Sequence, residues 1–171
     1  MCAERPAPIL CMDPFFLWLE STPLSQWITQ STSVFAFPTI LSAHAIGMGL
    51  AAGINATIAL HILGVASRVP SKELARFVPF MWFGFWLNFV SGVLLLIGYP
   101  TKALTNPVFY VKLTLIAAAM GLYLQIRRRM FDAPATRSLR WLAGASLVCW
   151  AGAITAGRLL AYTYTRLFAN W

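Results

Sequence analysis

The sequence predicts an all-α protein, a bundle of four transmembrane helices preceded by short interfacial helices. Three observations carry that expectation. The 171 residues are 59% hydrophobic and only 11% charged, whereas about a quarter of a soluble globule is charged. Four segments are long and apolar enough to cross a bilayer, which takes about 20 residues. No stretch alternates in polarity as a barrel strand does, and an open sheet would strand its backbone groups in lipid, so the crossings are helical.

Taken in order, residues 1–33 are expected to form an N-terminal periplasmic or interfacial segment. From Pro14 to Gln30 it reads FFLWLE, STP and LSQWITQ, short pieces broken at Pro23. They are rich in Phe and Trp but too short and polar to span, which suits a helical turn or two lying in the headgroup layer. The N-terminus lacks a basic region followed by a long apolar core, so no cleavable signal peptide is expected. Residues 34–166 form the four-helix domain, with helices at about 34–66, 77–99, 107–126 and 141–165, and 167–171 form a tail. The first span holds no Lys, Arg, Asp or Glu. Pro70-Ser71-Lys72-Glu73 starts the second helix, with Ser71 as candidate cap and Glu73 in the first turn. Tyr99-Pro100 ends it. Asn106 is a candidate cap for the third, with Pro107 at its first position. Asp132-Ala133-Pro134 breaks the chain before the fourth.

Charge sets the expected orientation. The first connector carries Arg68, Lys72 and Arg76, and the third carries Arg127, Arg128, Arg129, Arg137 and Arg140. Outside the helices the opposite side holds only Arg5, Lys102 and Arg166. The positive-inside rule therefore places the first and third connectors in the cytoplasm, with both termini outside. The net charge of +8 belongs to these flanks and forms no continuous polar face, so nucleic acid is not an expected partner.

Polar residues inside the spans are the candidate functional groups. At about 1.5 Å per residue, His44 and Asn88 lie roughly 15 Å below the outer surface, Arg158 roughly 10 Å and Lys112 roughly 6 Å. His44, Met48, Ala51 and Asn55 share one stripe of the first helix, Asn88 and Ser91 one of the second, and Thr155, Arg158 and Tyr162 one of the fourth. Charges in lipid face the bundle interior or a wet cavity, or they snorkel to the headgroups. Both alternatives are open for Lys112 and Arg158. No Asp or Glu lies in any of these spans, so a lipid phosphate, a ligand, water or another protein must neutralise Arg158.

For His44 the alternatives are a neutral imidazole bonded to a backbone carbonyl or to Asn88, a haem or metal ligand, or a group in proton or quinone chemistry. His61 lies roughly 25 Å further along the same helix, near the cytoplasmic boundary, so the two histidines cannot clamp one haem within a subunit. If haem binds, Met48 or Met120 is a candidate second ligand, or the sixth position is open. Gly49 and Gly53 form a GxxxG pattern that Gly47 extends, a face that lets helices approach closely. The Trp82-Phe83-Gly84-Phe85-Trp86 cluster reads most simply as lipid or partner contact. Cys149 reads as packing, and Cys2 with Cys11 is a candidate pair. No nucleophile with a base, paired carboxylates, phosphate loop or zinc spacing occurs, so independent catalysis is not expected.

The order Phe37-Pro38-x5-His44-x2-Gly47, then ALHILG, then Ser91-Gly92, then Asn106-Pro107-x-Phe109-x2-Lys112 resembles a family of small bacterial four-helix membrane proteins of unknown function. The resemblance covers about residues 33 to 126 and, more weakly, the fourth helix. It departs at Ala59 and His61, where the family carries an acidic residue and an arginine, so an intramembrane charge pair is missing here. The architecture is also similar to copper-resistance and b-type cytochrome membrane domains.

These readings converge on a non-catalytic redox- or metal-associated membrane subunit. In it His44 ligates haem b or a metal ion, or contacts a quinone, while Lys112 and Arg158 hold anionic groups such as propionates. A second class is a structural or assembly subunit that docks other membrane or periplasmic subunits, or a further copy of itself. A transporter is disfavoured by small size and the lack of intramembrane carboxylates.

Overall fold

The structure, a computed structural model, describes residues 18–31, 33, 35–65, 70–130 and 136–168, with only the backbone described at 71–72, 130 and 163–168. Cys2, Cys11, Arg5 and Arg68 lie outside the described residues. The chain forms α1 (Pro23–Gln30), α2 (Phe37–Leu63), α3 (Ser71–Gly98), α4 (Pro100–Leu104), α5 (Pro107–Met130) and α6 (Arg137–Phe168). Helices α2, α3, α5 and α6 are each long and apolar enough to cross a membrane. The four-helix, all-α expectation therefore holds, and the chain is a multi-pass membrane protein by the length and composition of its helices.

Local chemistry explains most boundaries. Thr22 caps α1 by accepting the Ser25 N–H, with Pro23 at the first position. Helix α2 ends at Gly64, whose φ of 90° is a left-handed conformation that suits a residue without a Cβ. Its N–H and that of Val65 turn back to the carbonyls of His61 and Leu60. Asn106 is the expected cap of α5, its Oδ1 accepting the Val108 N–H at 3.0 Å. Ser71 is a correction. It is the first helical residue, and Pro70 holds the cap position without a side-chain cap bond. The spans also run further than expected on the basic side, where α3 begins at Ser71, α5 continues to Met130 and α6 begins at Arg137; at the opposite end α6 reaches Phe168, into the expected tail.

Helices α2 and α3 pack as one hairpin and α5 and α6 as another, and the hairpins dock chiefly through α2 against α6. The α2–α3 crossing depends on two glycines. A Cβ on Gly47 would stand 2.6 Å from the Asn88 backbone nitrogen and 2.7 Å from the Gly84 carbonyl oxygen. One on Gly84 would stand 2.5 Å from Leu50 Cβ. Apolar burial does not drive helices together in lipid, so such close backbone contact supplies the attraction. Gly49 and Gly53 play no part in this, because nothing lies within 4 Å of a Cβ on either. The expected GxxxG face thus points away from the bundle.

The α2–α6 contact is fastened by a buried bond, Ser146 Oγ donating to Asn55 Oδ1 at 2.9 Å. Helix α1 docks on the end of α3, with Ile28 fully buried and its Cγ2 2.9 Å from where a Gly98 Cβ would lie. Thr101 donates to Glu20 at 2.7 Å, tying the same region to α4. Large apolar side chains such as Phe77, Phe80, Phe83 and Trp86 cover the outside of α3, as a lipid-facing surface requires. Trp82 and Phe85 turn inward onto the core. Cys149 is free and packs against that core.

Candidate functional site

Near the end of the bundle where α2 and α5 begin, four helices meet around His44. Its Nδ1 lies 3.1 Å from the Asn88 carbonyl oxygen and 3.1 Å from Ser91 Oγ. A carbonyl only accepts, so Nδ1 carries the ring proton and Nε2 presents a lone pair. Ser91 Oγ sends its own proton to the Leu87 carbonyl at 2.6 Å, which turns an oxygen lone pair to the imidazole. Asn88 returns the contact, its Nδ2 donating to the His44 carbonyl at 2.8 Å. The same nitrogen is 3.4 Å from Nδ1, an approach of two donors that adds no bond. The result is a reciprocal clamp between His44 and Asn88.

On the other edge of the ring, Lys112 Nζ lies 3.3 Å from His44 Nε2 and donates to it. The lysine therefore turns inward, although its shallow position equally allowed it to snorkel outward. Two glycines make room. The ring lies over Gly92, where a Cβ would stand 3.3 Å from His44 Cε1. The lysine stem crosses α6 at Gly157, where a Cβ would stand 3.7 Å from Lys112 Cε. His44 and Lys112 are both half-buried, whereas Ser91 is buried.

The structure brings together four of the residues singled out in the sequence, His44, Asn88, Ser91 and Lys112. Met48 is half-buried against the apolar core, and Met120 is buried in that core two turns beyond Lys112. Arg158 lies on the exposed side of α6, alongside Thr155 and Tyr162, and it is the preceding Gly157 that meets the centre. His61 is half-buried in the last turn of α2. Gly92 entered the sequence reading only in the Ser91-Gly92 pair of the resemblance, with no role given to it, and Gly157 was missed, its only signal being that it precedes Arg158. Ser146 was also missed, since a serine in a small-residue helix reads as packing.

The centre holds a cation and lacks a visible counter-charge. Among the described residues, Glu73 pairs with Arg76 at 3.3 Å and Glu20 accepts from Thr101, and neither reaches Lys112. No group of three His, Cys, Asp or Glu side chains able to hold a metal ion occurs among the described residues. His44 thus contributes one lone pair, and a lysine stands on it.

Compared with family models, curated proteins and solved structures, the chain finds no match.

Proposed function

We propose that the chain is a non-catalytic, redox-associated membrane subunit whose His44–Lys112 centre binds the carbonyl oxygen of a quinone. The single observation that supports this most is the 3.3 Å contact between Lys112 Nζ and His44 Nε2. A lysine costs roughly 2.5–3.5 kcal/mol at the bilayer centre on insertion scales, and less at the shallower depth of Lys112. A hydrogen bond from the charged ammonium to the imidazole returns about 1.5–3 kcal/mol but uses only one of its three N–H groups. The N–H groups left over favour any oxygen-bearing ligand that accepts from them. A quinone carbonyl does so without bringing a second full charge into lipid. His44 then serves as a fixed acceptor that keeps Lys112 pointing inward, and the Asn88–Ser91 clamp keeps His44 in the required tautomer.

Haem or metal ligation through His44 fits less well. Nε2 would have to exchange a lysine for iron, and a divalent ion beside Lys112 meets like-charge repulsion. We place the centre in the outer leaflet of a bacterial inner membrane, because the basic connectors lie at the other end of the bundle. The test is the quinone content of protein purified in mild detergent, with a reduced-minus-oxidised spectrum. A stoichiometric quinone that falls at least tenfold in Lys112→Met supports the reading. Protein that carries no quinone but shows a Soret band would replace it with haem ligation.

A second reading, a structural subunit, is favoured by the outward Gly49–Gly53 face. Co-purification of a stoichiometric membrane partner that survives His44→Ala and is lost in Gly49→Leu supports it.

A further inference from the structure

A pocket lies toward the opposite end of the bundle from His44, between the first half of α3 and the last turns of α5. Leu74, Ala75, Val78 and Pro79 form one wall, Tyr123, Ile126 and Arg127 the other, and Ile58 of α2 the floor. Its volume is about 250 Å³. A cavity of roughly 150 Å³ already accepts benzene, while whole drug-sized ligands need about 300–1,000 Å³. The pocket is therefore sized for part of a larger amphiphile, with the rest outside.

Three polar features mark where the rest would sit. Tyr123 is 2% exposed, and its hydroxyl has no hydrogen-bond partner among the described residues. Such a buried hydroxyl costs about 1–3 kcal/mol until an acceptor reaches it. Pro79 lies inside α3 and has no N–H to return to the Ala75 carbonyl four residues earlier. Arg127, one turn beyond Tyr123 on the same face, is exposed. Among the described residues it has no ion-pair partner, since Glu73 is taken by Arg76. Arg128 and Arg129 follow it, so the rim is positively charged.

We propose that this pocket binds an anionic phospholipid of the leaflet on the side of the basic connectors. The phosphate sits on Arg127, a glycerol ester carbonyl accepts from the Tyr123 hydroxyl, and an acyl segment fills the space over Ile58. The order of these groups from rim to floor is that of a lipid entering from the headgroup layer. Basic pockets between membrane helices on the positively flanked side suit anionic headgroups.

The test is native mass spectrometry of the full chain in detergent with equal amounts of phosphatidylglycerol and phosphatidylcholine of matched acyl chains. The expected result is at least fivefold greater retention of phosphatidylglycerol, falling to parity in Arg127→Gln. Arg127 is exposed, so that variant leaves the fold unchanged. Val78→Phe, which fills the pocket, lowers retention of both lipids at least threefold. Arg140→Gln, an equally basic position on α6 away from the pocket, leaves the preference in place. Equal retention of the two lipids, or an unchanged preference in Arg127→Gln, overturns the proposal. A loss in Arg140→Gln as large as in Arg127→Gln overturns it as well, because the preference would then be general basicity.

Discussion

His44 and Asn55 stand on one stripe of α2, three turns apart, yet they are used in opposite ways. Asn55 is 1% exposed and meets Ser146, itself fully buried, across the α2–α6 contact. Both groups are neutral. His44 is half-buried, is held by α3 through Asn88 and Ser91, and carries Lys112 on its free edge. A sealed neutral pair fastens helices. A half-open pair that includes a cation is a costly fastener, since no carboxylate among the described residues pairs with its charge. On the proposed reading, the difference separates packing from function within a single run of apolar residues.

The largest expected effect comes from separating α2 and α3 directly. Gly47→Leu places a Cβ within 2.6 Å of backbone, which forces the helices apart and costs about 3 kcal/mol. It also opens the His44–Asn88 clamp, so quinone retention and stability fall together in a detergent-unfolding titration. Gly49→Leu, with nothing within 4 Å, leaves both unchanged and is the matched control.

Lys112→Met separates the two roles. Retained quinone falls at least tenfold, about 1.4 kcal/mol of binding. Stability is unchanged or rises, because a desolvated charge leaves the membrane interior. Ser146→Ala is the converse. Stability falls by about 1 kcal/mol, as expected for an interhelical bond in lipid, while quinone content stays at the wild-type value. If Ser146→Ala also empties the centre, the division between fastener and site is wrong. The smallest effect is that of Tyr123→Phe. Removing a buried hydroxyl without a partner stabilises lipid-free protein by up to about 1 kcal/mol, and the gain shrinks when phosphatidylglycerol is present.

Much of this was legible in the sequence, and the failures share one cause. Span length and the loss of charge located the four crossings. Side-chain chemistry at Asn106 and Pro107 located the start of α5. The helical period put Asn55 on the stripe of His44, and Ser91 on that of Asn88. The period says which residues share a face of one helix. It does not say which neighbour that face meets. In a soluble bundle the apolar stripe supplies the missing rotation, but in lipid both faces are apolar and the stripe is weak. Gly49–Gly53 was therefore expected to pack and instead faces outward, and Arg158 shares its depth but not its direction with the centre. Lys112 had two physically equal directions, and only the room over Gly157 and the lone pair of His44 select the inward one. The pocket beside Tyr123 was not legible at all. It arises where Pro79 of one hairpin stands opposite Tyr123 of the other, a juxtaposition that no local pattern encodes.

The most direct measurement is a nitrogen-15 correlation spectrum of the imidazole and lysine nitrogens in lipid bilayers. The account requires a ring that carries its proton on Nδ1 and a through-space peak from Nε2 to the Lys112 amine, lost in Lys112→Met. A ring protonated on Nε2, with no contact to any lysine, would contradict it.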